Sequence, residues 1–320
     1  MSYIAKVDQV LSRINRHPEY SACSRNLLLN SRISSSNAHS VAIELPDIQE
    51  GIDLHHYSHK NVFEDISEGW HYLENEGITK NSLYRLGRFI QPDLKSPVRT
   101  GEVIFGKFGG IPPENILSSL EDLEYRLNNY DGHPIARAVE AQVEMVRIHP
   151  YADGNGRASR LLQNFCLHER SYPVPIIGKE DKRILFSLLD NVFDDRLSGK
   201  SKWYDPSTSD IALRDYVASK IYESTVHIEE ELKSKRLYKL RIDSNTHNLD
   251  PKQVGKQVRS RLRSSFSSKN IAAVAQIEDS NKNTIALQVK GNVSKEEIEE
   301  SLKNWSQKKE IGFKVIPHGC

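Results

Sequence analysis

Ile135, Val139, Val143 and Val146 recur at three-to-four spacing in HPIARAVEAQVEMVRI, and helical spacing resumes after Arg157 in ASRLLQNFCLHER. Apolar residues at that period share one face of an α-helix, so each stretch must pack that face inward. Much of residues 1–235 repeats the pattern, in pieces such as ENILSSLEDLEYRLNNY and IGKEDKRILFSLLDNVFDD separated by short Gly, Pro or Asn breaks. A further piece, STSDIALRDYVASKIYESTVHIEEELKSKRLYKL, predicts helix as far as Leu240. The expected fold class is mainly α, a helical bundle. One segment departs from it: SPVRTGEVIFGKFGGIPPENI carries short β-branched runs around Gly101 and Gly106, which suits a small hairpin. Its GEVIFGKF looks like a phosphate loop, but Phe108 stands where a Mg²⁺-binding Ser or Thr belongs, and Pro112 and Pro113 follow in place of a helix start.

From about Asn248 the character changes. DPKQVGKQVRSRLR predicts a basic helix, IAAVAQIED and NTIALQVKG paired strands, SKEEIEESLKNWSQKK another helix and IGFKVIP a last strand. The domains expected are an N-terminal helical region over 1–60, a core over 61–235 and a small basic α+β appendage over 248–320. A net charge of +1 hides an asymmetry, because from Glu231 onward Lys and Arg exceed Asp and Glu by eight. Lys252, Lys256, Arg259, Arg261 and Arg263 crowd one helix, so a nucleic-acid- or protein-binding regulatory module is the rival reading for the chain. No nucleic-acid motif accompanies these charges, and that partner is not favoured. Cys23, Cys166 and Cys320 form neither a disulfide framework nor a metal-ligand spacing. No stretch approaches the roughly 18 apolar residues of a membrane span, and the N-terminus lacks a signal-peptide core. The expected location is cytoplasmic, with no membrane partner; export through a specialised secretion system would leave no mark in such a chain.

Between the two amphipathic stretches stands HPYADGNGRASR, His149 to Arg160. Gly154, Asn155 and Gly156 tolerate positive φ, so their amides can converge on one anion, and a helix starting just after them adds its positive dipole end. Arg157 and Arg160, three apart, can address one polyphosphate with forked hydrogen bonds. Asp153 supplies a hard oxygen suited to Mg²⁺ that keeps most of its water. His149 titrates near neutrality and can accept a hydroxyl proton as attack on phosphorus begins. Singly, each residue is an ordinary turn or surface residue; in this order between two helices they describe nucleotidyl or phosphoryl transfer to a hydroxyl.

The stretch resembles the signature of the Fic family, H-P-F-x-D/E-G-N-G-R-x-x-R, and departs from it only where Tyr151 replaces Phe. The resemblance implies a Fic-type helical bundle whose β-hairpin is a flap, and a protein adenylyltransferase that moves AMP from Mg-ATP to a Ser, Thr or Tyr hydroxyl of a protein target and releases pyrophosphate. It implies His149 as general base, Asp153 as Mg²⁺ ligand, Gly154, Asn155 and Gly156 around the α- and β-phosphates, and Arg157 and Arg160 on the distal ones. Val103, Ile104 and Phe105 would dock the target by main-chain pairing. Self-modification and transfer of UMP or GMP are further expectations. Relatives with a regulatory helix carry SSxIEG, whose Glu pairs with the second arginine and spoils the γ-phosphate site. NSRISSSN aligns with it so that Ser34 and Ser35 replace Glu and Gly. On that alignment the inhibitory glutamate is absent, and restraint is lost or comes from a separate partner. Relatives also line the base pocket with a tyrosine; DKRILFSLLDNVF offers Phe186 and Phe193.

Overall fold

The computed structural model describes residues 2–16, 22–44, 59–93, 95–202, 204–234, 236–243, 251–266, 272–279, 284–290, 294–309 and 312–317. The chain parts into two compact units, Met1–Asp8 with Ser31–Ser224, and Gln9–Asn30 with Thr225–Cys320. The expected boundary at residue 60 is not where the units part. The reason is local: the second half of the second helix packs into the first unit through Ser36, whose Oγ donates to Pro175 O at 2.8 Å and accepts from Asn164 Nδ2 at 2.9 Å.

The first unit is helical, as its periodicity requires. Along the chain come α1 (Tyr3–Arg16), α2 (Ala22–Glu44), α3 (His59–Glu76), α4 (Lys80–Ile90), the hairpin β1 (Ile104–Phe105) and β2 (Phe108–Gly109), α5 (Ile116–Asn128), α6 (Pro134–Ile148), α7 (Asn155–Glu169), α8 (Lys182–Leu197) and α9 (Thr208–Ser234), with α1, α2 and α9 each contributing residues to both units. Helix α4 begins at a reciprocal cap in which Thr79 and Ser82 bond each other's backbone amides. Helix α6 begins with Pro134 at its first turn, behind His133, whose Nδ1 accepts from Ile135 N.

Helix α6 is buried on nearly all sides and forms the support of the unit. Ile135, Ala138, Val139, Val143 and Met145 fill the core, while Glu140 and Glu144 are buried with them. Their charges are met by Arg196 of α8, whose guanidinium lies 2.7 Å from Glu140, 2.6 Å from Glu144 and 3.0 Å from Asp210 of α9. Arg214 adds a contact of 2.7 Å to Glu140 and Arg147 one of 2.9 Å to Glu144. Burial alone would push the Glu144 carboxyl up, and Arg147 and Arg196 together hold it below the usual range. This network ties α8 and α9 to the helix that delivers His149.

The second unit contains β3 (Arg236–Asp243), α10 (Pro251–Ser265), β4 (Ala272–Asp279), β5 (Thr284–Lys290), α11 (Lys295–Lys309) and β6 (Gly312–Pro317). Its sheet is antiparallel in the order β4-β5-β3-β6, the split βαβ arrangement of ferredoxin-like units. Helix α10 packs on β4, α11 on β6, and the two helices on each other, so both lie on one face of the sheet. The expected strands and helices are present. Strand β3 is a correction, because the sequence reading carries the preceding helix through Leu240 whereas the helix stops at Ser234. No described helix is long and apolar enough to cross a membrane.

Candidate active site

Helix α6 ends at His149, which takes the left-handed conformation, φ 49° and ψ 56°, with its amide bonded back to Met145 O. A non-glycine residue there costs about 1 kcal/mol and needs its surroundings to hold it. The ring's Nδ1 lies 3.2 Å from Val146 O. A carbonyl only accepts, so Nδ1 carries the proton and Nε2 presents its lone pair. Burial of the ring lowers its pKa, and the nearby Arg99 cation lowers it further; the Val146 bond and Asp153 act the other way without cancelling the shift. The neutral, proton-accepting imidazole is thus the favoured form at neutral pH.

The loop after His149 is closed by its own side chains. Asn155 Oδ1 accepts from Tyr151 N at 2.9 Å and its Nδ2 donates to Tyr151 O at 2.7 Å. Tyr151 is fully buried, and its hydroxyl, the atom that most needed a partner, donates to Leu83 O. An ideal Cβ on Gly87 would lie 2.4 Å from the Tyr151 ring, so this glycine is what lets α4 approach it. Gly154, at φ 83°, precedes α7, and a Cβ there would press on Ile90 at 3.1 Å. The amides of Asn155, Gly156 and Arg157 open α7, where the helix has no internal acceptor to offer. Asp153 is exposed; its Oδ1 accepts from Gly154 N at 2.6 Å and its Oδ2 lies 3.6 Å from Arg157.

Both arginines are buried and engaged by protein acceptors. Arg157 donates to Ile90 O at 3.1 Å and to Gln91 Oε1 at 3.0 Å. Arg160 donates through Nε to Ser40 Oγ at 2.8 Å and through Nη2 to Ser40 O at 3.1 Å. Among the described residues Ser40 of α2 meets Arg160, and the expected Ser34 is exposed. Six residues separate the two, roughly 240° around a helix, so they cannot serve one target. With Ser40 in register, the stretch SVAIE at 40–44 fits the regulatory pattern at Ser40, Ile43 and Glu44 and departs at Val41 and, beyond it, Leu45. Helix α2 ends at Glu44, one turn past Ser40. The side chain of Glu44 lies outside the described residues.

Val103, Ile104 and Phe105 run into the hairpin, whose register pairs Ile104 with Gly109 and Phe105 with Phe108 across Gly106 and Lys107. Ile104 is 78% exposed, whereas Phe105 turns inward and stacks on His149. Phe193, one of the two rings that DKRILFSLLDNVF offers in place of the relatives' tyrosine, packs against Phe105 and Phe108, with centroids 5.6 and 5.4 Å away; Phe186 is exposed. Sequence reasoning missed Ser40 and also Arg99, a buried cation that bonds the carbonyl of His149. No cluster of three or more metal-ligating side chains occurs among the described residues. Asp153 alone, exposed and carboxylate, fits a Mg²⁺ ion whose other ligands are water and phosphate.

Residues 53–167 match the Fic/DOC family. That segment is a Fic domain. The chain is 36% identical over 127 residues to protein adenylyltransferase fic-1 of Caenorhabditis briggsae, covering 39% of this chain and 25% of that protein. The Caenorhabditis elegans protein of the same name is 34% identical over 123 residues, covering 36% and 24%. The chain thus spans about a quarter of the length of these curated relatives. The fold agrees with a Fic domain-containing signaling protein from Bacteroides thetaiotaomicron, at a TM-score of 0.58 and 19% identity over 72% of this chain and 98% of that one. It also agrees with Fic-1 from C. elegans, at 0.56 and 20% over 72% of each.

Proposed function

We propose that the chain transfers AMP from Mg-ATP to a hydroxyl of a protein target. The observation that carries the reading is the 3.2 Å contact of His149 Nδ1 with Val146 O, which leaves Nε2 as a proton acceptor beside the N-terminus of α7. The acceptor oxygen attacks the α-phosphorus and gives its proton to Nε2, while the bond to the β-phosphate breaks and pyrophosphate leaves. The first-turn amides after Gly154 hold the α- and β-phosphates, and Arg157 and Arg160 hold the distal ones. A Mg²⁺ ion held at Asp153 would neutralise charge on the phosphates. The exposed main chain at Ile104 pairs with the target segment. The names of the curated relatives, protein adenylyltransferases, support the same reading. With α-labelled ATP, Mg²⁺ and a cell lysate, label should pass to protein, the enzyme itself included, and vanish in His149→Ala. Label that survives this change would refute the assignment, and competition with UTP and GTP identifies the nucleotide.

The site's regulation is revised along with the register of α2. Glu44, one turn beyond Ser40, stands where the regulatory pattern has its glutamate, and we assign it the restraint on Arg160 that the reading centred on Ser34 leaves to a separate partner. In this account the resting chain is inhibited, and it becomes active when α2 yields Arg160 to the γ-phosphate.

A further inference from the structure

Arg99 lies between α4 and the flap, 6% exposed, and among the described residues it makes no ion pair. Burial pulls its pKa down, and Glu102 offsets this only through its field. A buried guanidinium without a carboxylate is costly unless every donor is satisfied. Here the donors go to backbone carbonyls on three segments. Nε donates to His149 O at 2.7 Å; Nη1 donates to Gly101 O at 2.6 Å, before β1; Nη2 donates to Ile111 O, after β2. Nη2 also lies 3.4 Å from Ile148 O, and the Arg99 amide donates to Pro150 O at 2.8 Å. One side chain thus bridges both stems of the flap and the left-handed turn that presents the base. The space for it is reserved by Gly110, where a Cβ would fall 2.8 Å from Nη2 and 3.3 Å from His149 Cβ.

A second link joins the same two parts. The Phe105 ring lies parallel to the His149 imidazole, 3° between planes and 4.7 Å between centroids. Phe193 backs it edge-on at 72°. Stacking covers a face of the imidazole and leaves its in-plane Nε2 edge unblocked. It also removes water from one side of the ring.

We propose that Arg99 and Phe105 are positioning residues that lock the flap to His149, so that a target strand docked on the flap finds its hydroxyl already in register with Nε2. This rests on the adenylyl-transfer reading and extends it, because docking surface and base become one rigid part. An error of about 1 Å in such placement lowers rate by about a hundredfold.

The test uses the full chain with Phe105→Leu, Phe105→Tyr and Arg99→Lys, each first checked for a wild-type melting transition. Phe105→Leu should raise the His149 pKa, read by NMR titration and assigned by its loss in His149→Ala. It should move the acidic limb of the rate profile upward with it and lower kcat by about ten- to a hundredfold, with KM for ATP changed less than about twofold. Phe105→Tyr, which keeps the stacked ring, should restore both. In Arg99→Lys a point ammonium cannot span the carbonyls, so flap amides should exchange about tenfold faster, or more, and kcat should fall comparably. Phe105→Leu with an unmoved titration and unchanged kcat, or Arg99→Lys with unchanged flap exchange, overturns the proposal. If the wild-type chain transfers no nucleotide, the adenylyl reading alone fails, since titration and exchange are read without turnover.

Discussion

Gly87→Ala tests how the motif is anchored. The added methyl would sit 2.4 Å from Tyr151 Cδ1 and 2.8 Å from Cγ and Cε1. The ring has no solvent to move into and is tethered through its hydroxyl to Leu83 O. Overpacking of this kind costs about 1–3 kcal/mol, and a displaced hydroxyl adds about 1 kcal/mol. Against this, Ala is favoured over Gly inside a helix by about 0.8–1 kcal/mol. The net expectation is a loss of about 1–3 kcal/mol, read as a lower urea midpoint for the first unit. Because Tyr151 stands two residues from His149, label transfer should fall as well. In a Tyr151→Ala background the obstruction is gone, and Gly87→Ala should stabilise by about 1 kcal/mol. An unchanged midpoint in the wild-type background, or destabilisation of equal size in both backgrounds, would refute the packing argument.

Arg196→Met leaves Glu140 with Arg214 and Glu144 with Arg147 but strips Asp210 of its cation. A loss of about 3–5 kcal/mol in chemical denaturation at pH 7 is expected. Glu144 and Asp210 titrate below their unfolded values, so their contribution is present above about pH 4 and fades as pH falls; the gap between wild type and variant should narrow there. Glu44→Gly should raise label transfer, whereas Ser34→Glu, on the exposed side of α2, should leave it unchanged; the opposite pair of results would restore the earlier register. The transfer rate should fall as pH drops through the His149 pKa, below the ordinary value of about 6.5 because the ring is buried, and a limb above that value would contradict the burial.

The motif was legible because its chemistry is contiguous: His149 to Arg160 lies within one turn and the start of one helix. The C-terminal elements were legible from their periods, apart from β3. That strand follows a run of helix-favouring charges, and only the alternation of Tyr238, Leu240 and Ile242 gave it away. Helix α2 misled for a different reason. Its SRISSSNAHS carries Ile33 as its one large apolar residue, so no apolar stripe marks the inward face, and the Ile43–Glu44 pair was the better signal. Arg99 could not have been found. A guanidinium that serves carbonyls on distant segments leaves no partner residue type in the sequence, since every residue has a carbonyl. The strand order β4-β5-β3-β6 is likewise set by crossover handedness and packing, not by any local pattern.

The two bonds from Asn155 to Tyr151 bear on chemical durability. Asn155 is followed by Gly156, the dipeptide that most readily loses ammonia in a flexible chain, when the glycine amide swings onto the side-chain carbonyl. Here both ends of the amide are engaged and the backbone is committed to the first turn of α7. The folded protein therefore guards its own weakest bond, and the unfolded chain does not. An aspartate formed there could accept from Tyr151 N but no longer donate to Tyr151 O, so each long excursion out of the fold risks a permanent mark on the phosphate loop.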